Sequence, residues 1–131
     1  MDQVLAGLTG TADMIVGTND TAPRVGSGVI PVLATPMMIN LMEEAALAAV
    51  EHLLPTGKQS LGTHLAVSHV AATPTGMKVT ATAELKEVDG RELTFWITAH
   101  DEQDLIGEGE HRRVVVTAAS FQERINAKAK G

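Results

Sequence analysis

Apolar and polar residues alternate along residues 77–88 of this chain. Every second position is apolar and those between are polar: Met77, Val79, Ala81, Ala83 and Leu85 alternate with Lys78, Thr80, Thr82, Glu84 and Lys86. A period of two is typical of a β-strand that buries one face and exposes the other. The pattern therefore predicts a half-exposed strand, and the Asp89-Gly90 pair after it predicts a turn into a further strand over residues 92–99.

Three more segments are predicted as strands, at residues 9–16, 61–71 and 106–118. Residues 17–28 are rich in turn-forming residues and predict a loop. Within the last strand, Gly107 and Gly109 are expected at bulges or at places where another backbone approaches closely.

One long helix is predicted over residues 36–54. Thr35 is a favoured cap residue, Pro36 suits the first helical position, and good helix formers continue until Pro55-Thr56-Gly57 ends the run. Residues 122–131 are polar and carry lysines, so we expect them to form a tail.

The order of these elements predicts an α+β fold in which an antiparallel sheet wraps around one long central helix. We expect a single domain over residues 1–131, since the chain has an ordinary domain length and no linker or repeat. One helix cannot cover both faces of such a sheet, and the sheet has edges to protect. We therefore expect the chain to dimerise, which would cover this exposed surface.

Composition removes several classes of function. The chain has no cysteine, which excludes disulfides, thiolate metal sites and a cysteine nucleophile. A formal charge of −6 and only three aromatic residues argue against a nucleic-acid partner. No apolar run approaches the roughly 20 residues that span a bilayer, and the first residues lack a basic leader. We therefore expect a cytoplasmic protein without a membrane partner.

Glu43 is the most unusual charged residue of the predicted helix. Its neighbours three and four positions away are Ile39, Ala46 and Leu47, whereas Glu44 shares a face with Asn40 and Glu51. A carboxylate on an apolar stripe is costly to bury without a partner. Glu43 is therefore predicted to belong to a functional site or to a buried hydrogen-bonded pair, and Glu44 to be solvated.

Thr35 and His69 are the other candidates for chemistry. A capping role alone would account for a threonine at position 35. Its hydroxyl would also lie beside the backbone N–H groups that can stabilise an oxyanion. His69 shares strand parity with Leu61, Thr63, Leu65, Val67 and Ala71, so we expect it to face inward. An inward histidine is either a satisfied core group or an acid–base catalyst.

No metal site is predicted from the remaining histidines. His52 lies near the helix end, and His64 has the opposite parity to His69. The sequence spacing of His100 and His111 does not match that of metal ligands. Arg112 and Arg113 are expected as exposed strand charges, unless one of them contacts a carboxylate or a coenzyme phosphate.

Several motifs together resemble the hotdog-fold acyl-CoA thioesterases of the fluoroacetyl-CoA thioesterase-like family. They are Ala34-Thr35 with Leu41-Met42-Glu43, Ser60-Leu61-Gly62-Thr63, His69 with Ala71-Ala72-Thr73-Pro74, residues 79–85, Ala99-His100-Asp101, and Ile106-Gly107 through His111 to Arg113. The resemblance implies a hotdog fold, a homodimer with pockets at the subunit interface, and an acyl-CoA substrate. It places Thr35, Glu43 and His69 on the family's catalytic residues, and Gly62 and Arg113 on residues that line the acyl and thioester pocket.

The expected reaction is hydrolysis of a small acyl-CoA thioester to the free acid and coenzyme A. His69 would activate water or relay a proton, Glu43 would act as base or nucleophile, and Thr35 would position or relay. No metal or redox cofactor is implied, because coenzyme A enters with the substrate. Two alternatives are another hotdog enzyme, such as an enoyl-CoA hydratase, and a non-catalytic acyl-CoA or small-ligand binding protein.

This chain differs from the family in the residues ahead of Thr35. Fluoroacetyl specificity in the family depends on aromatic lid residues, whereas residues 25–33 of this chain contain no aromatic side chain. We therefore expect the protein not to be specific for fluoroacetyl-CoA.

Overall fold

The computed structural model describes all residues from Met1 to Gly131. Its strands are β1 (Thr9–Ile15), β2 (Lys58–His69), β3 (Lys78–Asp89), β4 (Glu92–His100) and β5 (Leu105–Thr117). Its α-helices are α1 (Ala22–Val25), α2 (Thr35–Val50) and α3 (Ala118–Ala129), and short 3-10 helices cover Thr18–Asp20 and Glu51–Leu53. All five predicted strands are present, with ends shifted by up to three residues.

The five strands form one antiparallel sheet in the order β1-β3-β4-β5-β2. The predicted turn at Asp89-Gly90 joins β3 to β4, and Gly90 adopts a left-handed φ of 60° that favours glycine. Gly107 and Gly109 lie where β5 approaches the backbone of β2, and a Cβ on either residue would meet β2 carbonyl oxygens. The prediction of close approach at these two glycines is confirmed.

The central helix α2 packs on the inner face of this sheet. Its buried residues lie on one broad stripe: Met38, Leu41, Met42, Ala45, Ala46, Ala49 and Val50. They pack on the alternating inward residues of β3 and β4: Val79, Ala81, Ala83, Leu85, Leu93, Phe95, Ile97 and Ala99. The alternation in β3 therefore marks the core, and the expected hotdog architecture of a sheet around one helix is confirmed.

Three predictions about elements are wrong. Residues 17–28, expected as a loop, contain the 3-10 helix Thr18–Asp20 and helix α1. The α-helix ends at Val50, and the chain continues as a 3-10 turn over Glu51–Leu53, not as α-helix to residue 54. The C-terminal segment is helix α3, although residues 122–131 were expected as a tail. Alanine, glutamate, arginine and lysine favour a helix without burial, and α3 indeed has no buried residue.

The register of β2 corrects the face predicted for some of its residues. Pairing with β5 shifts between Gly62 and His64, so Thr63 is an extra, bulged residue. Beyond the bulge, Leu65, Val67 and His69 pair with the buried His111, Gly109 and Gly107. The shared face of His69 with Leu65 and Val67 is confirmed, but Leu61 lies on the opposite face because the bulge reverses the alternation. None of the helices is both long and apolar enough to cross a bilayer.

Candidate active site

Thr35 begins helix α2 and its hydroxyl contacts His69. Ala34, not Thr35, occupies the N-cap position, and no side chain caps this helix. The prediction that Thr35 is the cap is therefore wrong. Its Oγ1 lies instead 2.6 Å from Nδ1 of His69, a residue 34 positions away in sequence. A short hydroxyl–imidazole contact of this kind is the arrangement in which a histidine can take the hydroxyl proton.

His69 ends β2 and is half-buried. Burial lowers the pKa of its imidazole, and the backbone carbonyl of Ala71 opposes this shift only partly. The ring is therefore neutral near pH 7 and can accept a proton. Its Nε2 is buried and makes no hydrogen bond within the protomer. When Nδ1 accepts the Thr35 proton, Nε2 carries the other ring proton and requires an acceptor.

An open pocket of about 340 Å³ adjoins this pair. Thr35 and His69 lie in its wall, and the other lining residues are small or aliphatic apart from one serine: Ala22, Ser27, Val32, Leu33, Val70, Ala71 and Ala72. The pocket thus offers an apolar space beside a hydroxyl and an imidazole. Neither Glu43, Gly62 nor Arg113 lines it.

Glu43 belongs to a second polar cluster. Its carboxylate Oε2 lies 3.3 Å from Nη1 of Arg113 and 3.9 Å from Nε2 of His111. It makes no hydrogen bond with Thr35 or His69 in the protomer. Glu43 is half-exposed, with 37% of its side chain accessible, while Glu44 is exposed as predicted. The three residues assigned to catalysis are therefore not assembled within one protomer.

Arg113 is buried, with an exposed fraction of 4%. Its Nε donates to Ser60 Oγ at 2.8 Å and its Nη2 to the Ser60 carbonyl at 3.1 Å. Ser60 in turn donates to Glu51, from its hydroxyl at 2.6 Å and from its backbone N–H at 3.0 Å. Both arginines thus contact a carboxylate, but Arg113 meets Glu43 from a buried position, whereas Arg112 forms a surface ion pair with Glu110.

His111 completes this cluster and was not among the predicted site residues. It is fully buried, its Nδ1 donates to the His64 carbonyl at 2.8 Å, and its Nε2 accepts from Arg113 at 3.1 Å. Burial is the main cause that lowers the pKa of His111, and the neighbouring guanidinium adds to the effect. Its strand parity with Arg113 was the signal in the sequence that could have identified it. The bonds of Ser60 to Arg113 and to Glu51 leave no such signal, because strand register sets the first and the end of α2 sets the second.

Gly62 makes room for the Glu43 carboxylate. A Cβ on Gly62 would lie 2.6 Å from Oε2 of Glu43 and 3.0 Å from Cε1 of His111. Gly62 thus adjoins Glu43 and Arg113, as expected for one site, but in a cluster separate from Thr35 and His69. No group of three or more histidine, aspartate or glutamate side chains is arranged to hold a metal ion.

Comparisons with known proteins identify the family of this chain. Residues 16–119 match the model of the fluoroacetyl-CoA-specific thioesterase family. The fluoroacetyl-CoA thioesterase of Streptantibioticus cattleyicolor is 45% identical over 97 residues, which cover 74% of this chain and 70% of that protein.

Solved structures extend the similarity to nearly the whole chain. A structure of the fluoroacetyl-CoA thioesterase FlK superposes with a TM-score of 0.91 at 38% identity and covers 97% of this chain and 98% of that one. A thioesterase-superfamily protein of Thermus thermophilus shares the fold, with a TM-score of 0.92 at 24% identity over 99% and 96% of the two chains. The chain is a thioester hydrolase of the hotdog fold and belongs to the fluoroacetyl-CoA-specific thioesterase family.

Proposed function

We propose that this single-domain chain hydrolyses a small acyl-CoA thioester to the free acid and coenzyme A, with Thr35, His69 and Glu43 as its catalytic residues. One observation carries the proposal, namely the 2.6 Å contact between the Thr35 hydroxyl and His69 beside an apolar pocket. The reaction needs no metal or redox cofactor, because coenzyme A enters as part of the substrate. We place it in the cytoplasm, since coenzyme A thioesters are intracellular metabolites.

In the proposed mechanism His69 accepts the proton of the Thr35 hydroxyl at Nδ1. The Thr35 oxygen attacks the thioester carbonyl, the C–S bond breaks, and the proton passes from His69 to the departing sulfur. Water then hydrolyses the acyl-threonine ester, and His69 again serves as the base. In the first turn of α2, Pro36 has no N–H and those of Met37 and Met38 donate to the Ala34 carbonyl, so the Thr35 N–H is the helical donor that can stabilise the oxyanion.

Glu43 joins this site only if two subunits combine. His69 and Gly62 are seven positions apart on β2, or about 23 Å at 3.3 Å per residue. The strand is an edge of the sheet, and most of its residues are exposed. We propose that β2 pairs antiparallel with β2 of a second copy about a two-fold axis near its middle. The His69 end of one subunit then meets the Gly62 end of the other, and the partner subunit's Glu43 accepts a hydrogen bond from His69 Nε2–H.

A mixing experiment tests this shared site. Thr35→Ala and Glu43→Gln are each expected to abolish thiol release as homodimers. After the two variants are unfolded and refolded together, half of the dimers are mixed, and each mixed dimer has one intact site. Activity is then expected to return to about a quarter of the wild-type value. If mass spectrometry demonstrates mixed dimers but no activity returns, the shared site is contradicted.

Glu43→Gln has a matched control in Glu44→Gln. The two residues are adjacent on α2 and undergo the same chemical change, but Glu44 is exposed and its only hydrogen bond is to Asn40. Thiol release from acyl-CoAs is expected to fall at least a hundredfold in Glu43→Gln and to stay unchanged in Glu44→Gln. Equal turnover of the two variants would remove Glu43 from the mechanism.

The acyl group is proposed to be small and not specifically fluoroacetyl. The segment ahead of Thr35 presents Val29 and Ile30, which are 90% and 66% exposed, and contains no aromatic side chain. We expect kcat/KM for fluoroacetyl-CoA to lie close to that for acetyl-CoA and other short acyl-CoAs. A ratio of several hundred in favour of fluoroacetyl-CoA would overturn this part of the proposal.

A further inference from the structure

Thr73 is a fully buried threonine in an otherwise exposed loop. Its exposed fraction is 0%, while Ala72 and Pro74 on either side are exposed. It belongs to one of the motifs of the thioesterase family and Asp101 belongs to another, but the proposed mechanism gives neither residue a role.

The hydroxyl of Thr73 donates to Oδ2 of Asp101 at 2.9 Å. The other carboxylate oxygen of Asp101 accepts the backbone N–H groups of Gln103 and Asp104, at 2.8 and 2.7 Å. Partial burial would raise the pKa of Asp101, but these hydrogen bonds, that from Thr73 and nearby His100 together lower it. Asp101 is therefore a carboxylate at neutral pH, and it fixes Thr73 to the turn between β4 and β5 by a charge-assisted hydrogen bond.

The backbone of Thr73 reaches the segment that carries Thr35. Its carbonyl accepts the N–H of Leu33 at 2.9 Å, two residues before Thr35. On the other side, the N–H of Val70, the residue after His69, donates to the Ile106 carbonyl at 2.7 Å. The stretch from Val70 to Thr73 is thus held at both ends, and it also supplies three residues of the pocket wall.

We propose that Thr73 and Asp101 are positioning residues that hold the Thr35 and His69 segments at the distance their hydrogen bond requires. The inference rests on the proposed function of that pair. Thr35 and His69 come from segments 34 residues apart, and Thr73 is the residue that bonds to the segment before Thr35 while belonging to the loop after His69. Small displacements of catalytic groups reduce rates strongly, so loss of the Thr73–Asp101 bond reduces turnover.

Thr80 provides a matched control. Its hydroxyl donates to Asp13 at 2.6 Å, which is also a threonine–aspartate hydrogen bond between two segments of the protein. This bond joins β3 to β1 and touches neither Thr35 nor His69. Thr73→Val and Thr80→Val therefore remove the same chemical group, from the proposed support and from a remote site.

The first readout does not depend on activity. We would follow the ring nitrogens of His69 by NMR through a pH titration of the ligand-free protein, with histidine labelled with ¹⁵N and the His69→Gln variant for assignment. Within the protomer the ring contacts the Thr35 hydroxyl and the Ala71 carbonyl, and no charged group forms an ion pair with it. In Thr73→Val we expect altered ring shifts and a pKa that moves up towards the ordinary histidine value, because water reaches the loosened ring. In Thr80→Val we expect the wild-type titration.

The second readout is the division between kcat and KM for the best acyl-CoA. In Thr73→Val we expect kcat to fall about tenfold to a hundredfold, with KM changed less than about threefold. Thr73→Ser keeps the hydroxyl and is expected to restore most of kcat and the His69 titration. If Thr73→Val does not fold, Asp101→Ala removes the same bond from its surface end and takes its place in both measurements.

A folded Thr73→Val with wild-type His69 titration would overturn the inference, as would identical effects of Thr73→Val and Thr80→Val. Wild-type protein without thiol release on any acyl-CoA would instead refute the proposed function. In that event the titration alone decides whether Thr73 and Asp101 hold His69 in place.

Discussion

The two polar clusters beside α2 differ in how completely their hydrogen bonds are satisfied. Around Arg113, three of its nitrogens donate to Ser60, Glu43 or His111, and Ser60 is held in turn by Glu51. Around His69, the protomer provides one short contact to Thr35 and leaves a buried Nε2 without a hydrogen bond. The first cluster is a fixed support, and the second has an unused donor or acceptor at its centre.

This difference indicates that the two clusters have different roles in the proposed site. A buried charge network that is fully hydrogen-bonded holds its members rigidly, so the Arg113 cluster is suited to fixing the Glu43 carboxylate. An imidazole with a lowered pKa and one free nitrogen is suited to moving a proton. Substitutions in the two clusters separate these two roles.

The largest effect is expected from Thr35→Val, which replaces the hydroxyl with a methyl group of similar size. Turnover should fall about a thousandfold or more, because His69 loses the group from which it takes a proton. Thr35→Ser keeps the hydroxyl and is expected to retain activity. The test is thiol release by each purified variant, together with its melting temperature. Turnover of Thr35→Val within threefold of wild type would remove Thr35 from catalysis.

Arg113→Met should damage stability and turnover together, whereas Arg112→Met should affect neither strongly. Met keeps the apolar stem of the side chain, but Ser60 and His111 then lose a buried hydrogen-bond donor. Loss of the bond to the half-exposed Glu43 contributes less to the change in stability. We expect a loss of about 2–4 kcal/mol in the free energy of unfolding for Arg113→Met, and less than about 1 kcal/mol for the surface ion pair of Arg112. Urea unfolding of both variants measures the difference, and equal losses would contradict it.

Gly62→Ala tests the placement of the Glu43 carboxylate, because the added Cβ would crowd it more closely than the buried His111 ring, which lies 3.0 Å away. The added Cβ would lie 2.6 Å from Oε2 of Glu43, so this carboxylate must move. We expect turnover to fall roughly tenfold through misplacement, while urea unfolding stays within about 1 kcal/mol of wild type. Unchanged turnover would show that the carboxylate position in the protomer is not the one used in catalysis.

The smallest effect is the pH dependence of stability. Burial lowers the pKa of both His69 and His111, so the unfolded chain binds their protons more readily than the folded protein does. Their contribution to stability is therefore complete above the unfolded-state pKa of about 6.5 and is lost as the pH falls below it, by at most about 1.4 kcal/mol per pH unit for each group. Urea unfolding between pH 5 and 8 should show this slope.

His69→Gln and His111→Gln should each reduce the slope, since each removes one of the two groups. Wild-type stability that does not change over this range would contradict the burial of both imidazoles. If His111→Gln alone removes the slope, the effect belongs to the cluster around Arg113.

The sequence predicted much of the fold because local patterns dictate it. The alternation in residues 77–88 placed one face of β3 in the core, and the contrast between Glu43 and Glu44 on α2 was found in the structure. Both depend on fixed side-chain periods of strand and helix. The helical C-terminus was missed because α3 buries nothing, and apolar periodicity marks only those helices that pack on a core.

The sequence by itself determined the order of the five strands and the central helix, the core-facing side of β3 and, through family resemblance, the candidate catalytic residues Thr35, Glu43 and His69. Only the tertiary structure decided that Thr35 contacts His69 instead of capping α2, that Thr63 is bulged, and that Arg113 bonds to Ser60 and His111. The physical reason is that periodicity acts between neighbours in sequence. These contacts join residues up to 53 positions apart, and strand register and helix position bring them together.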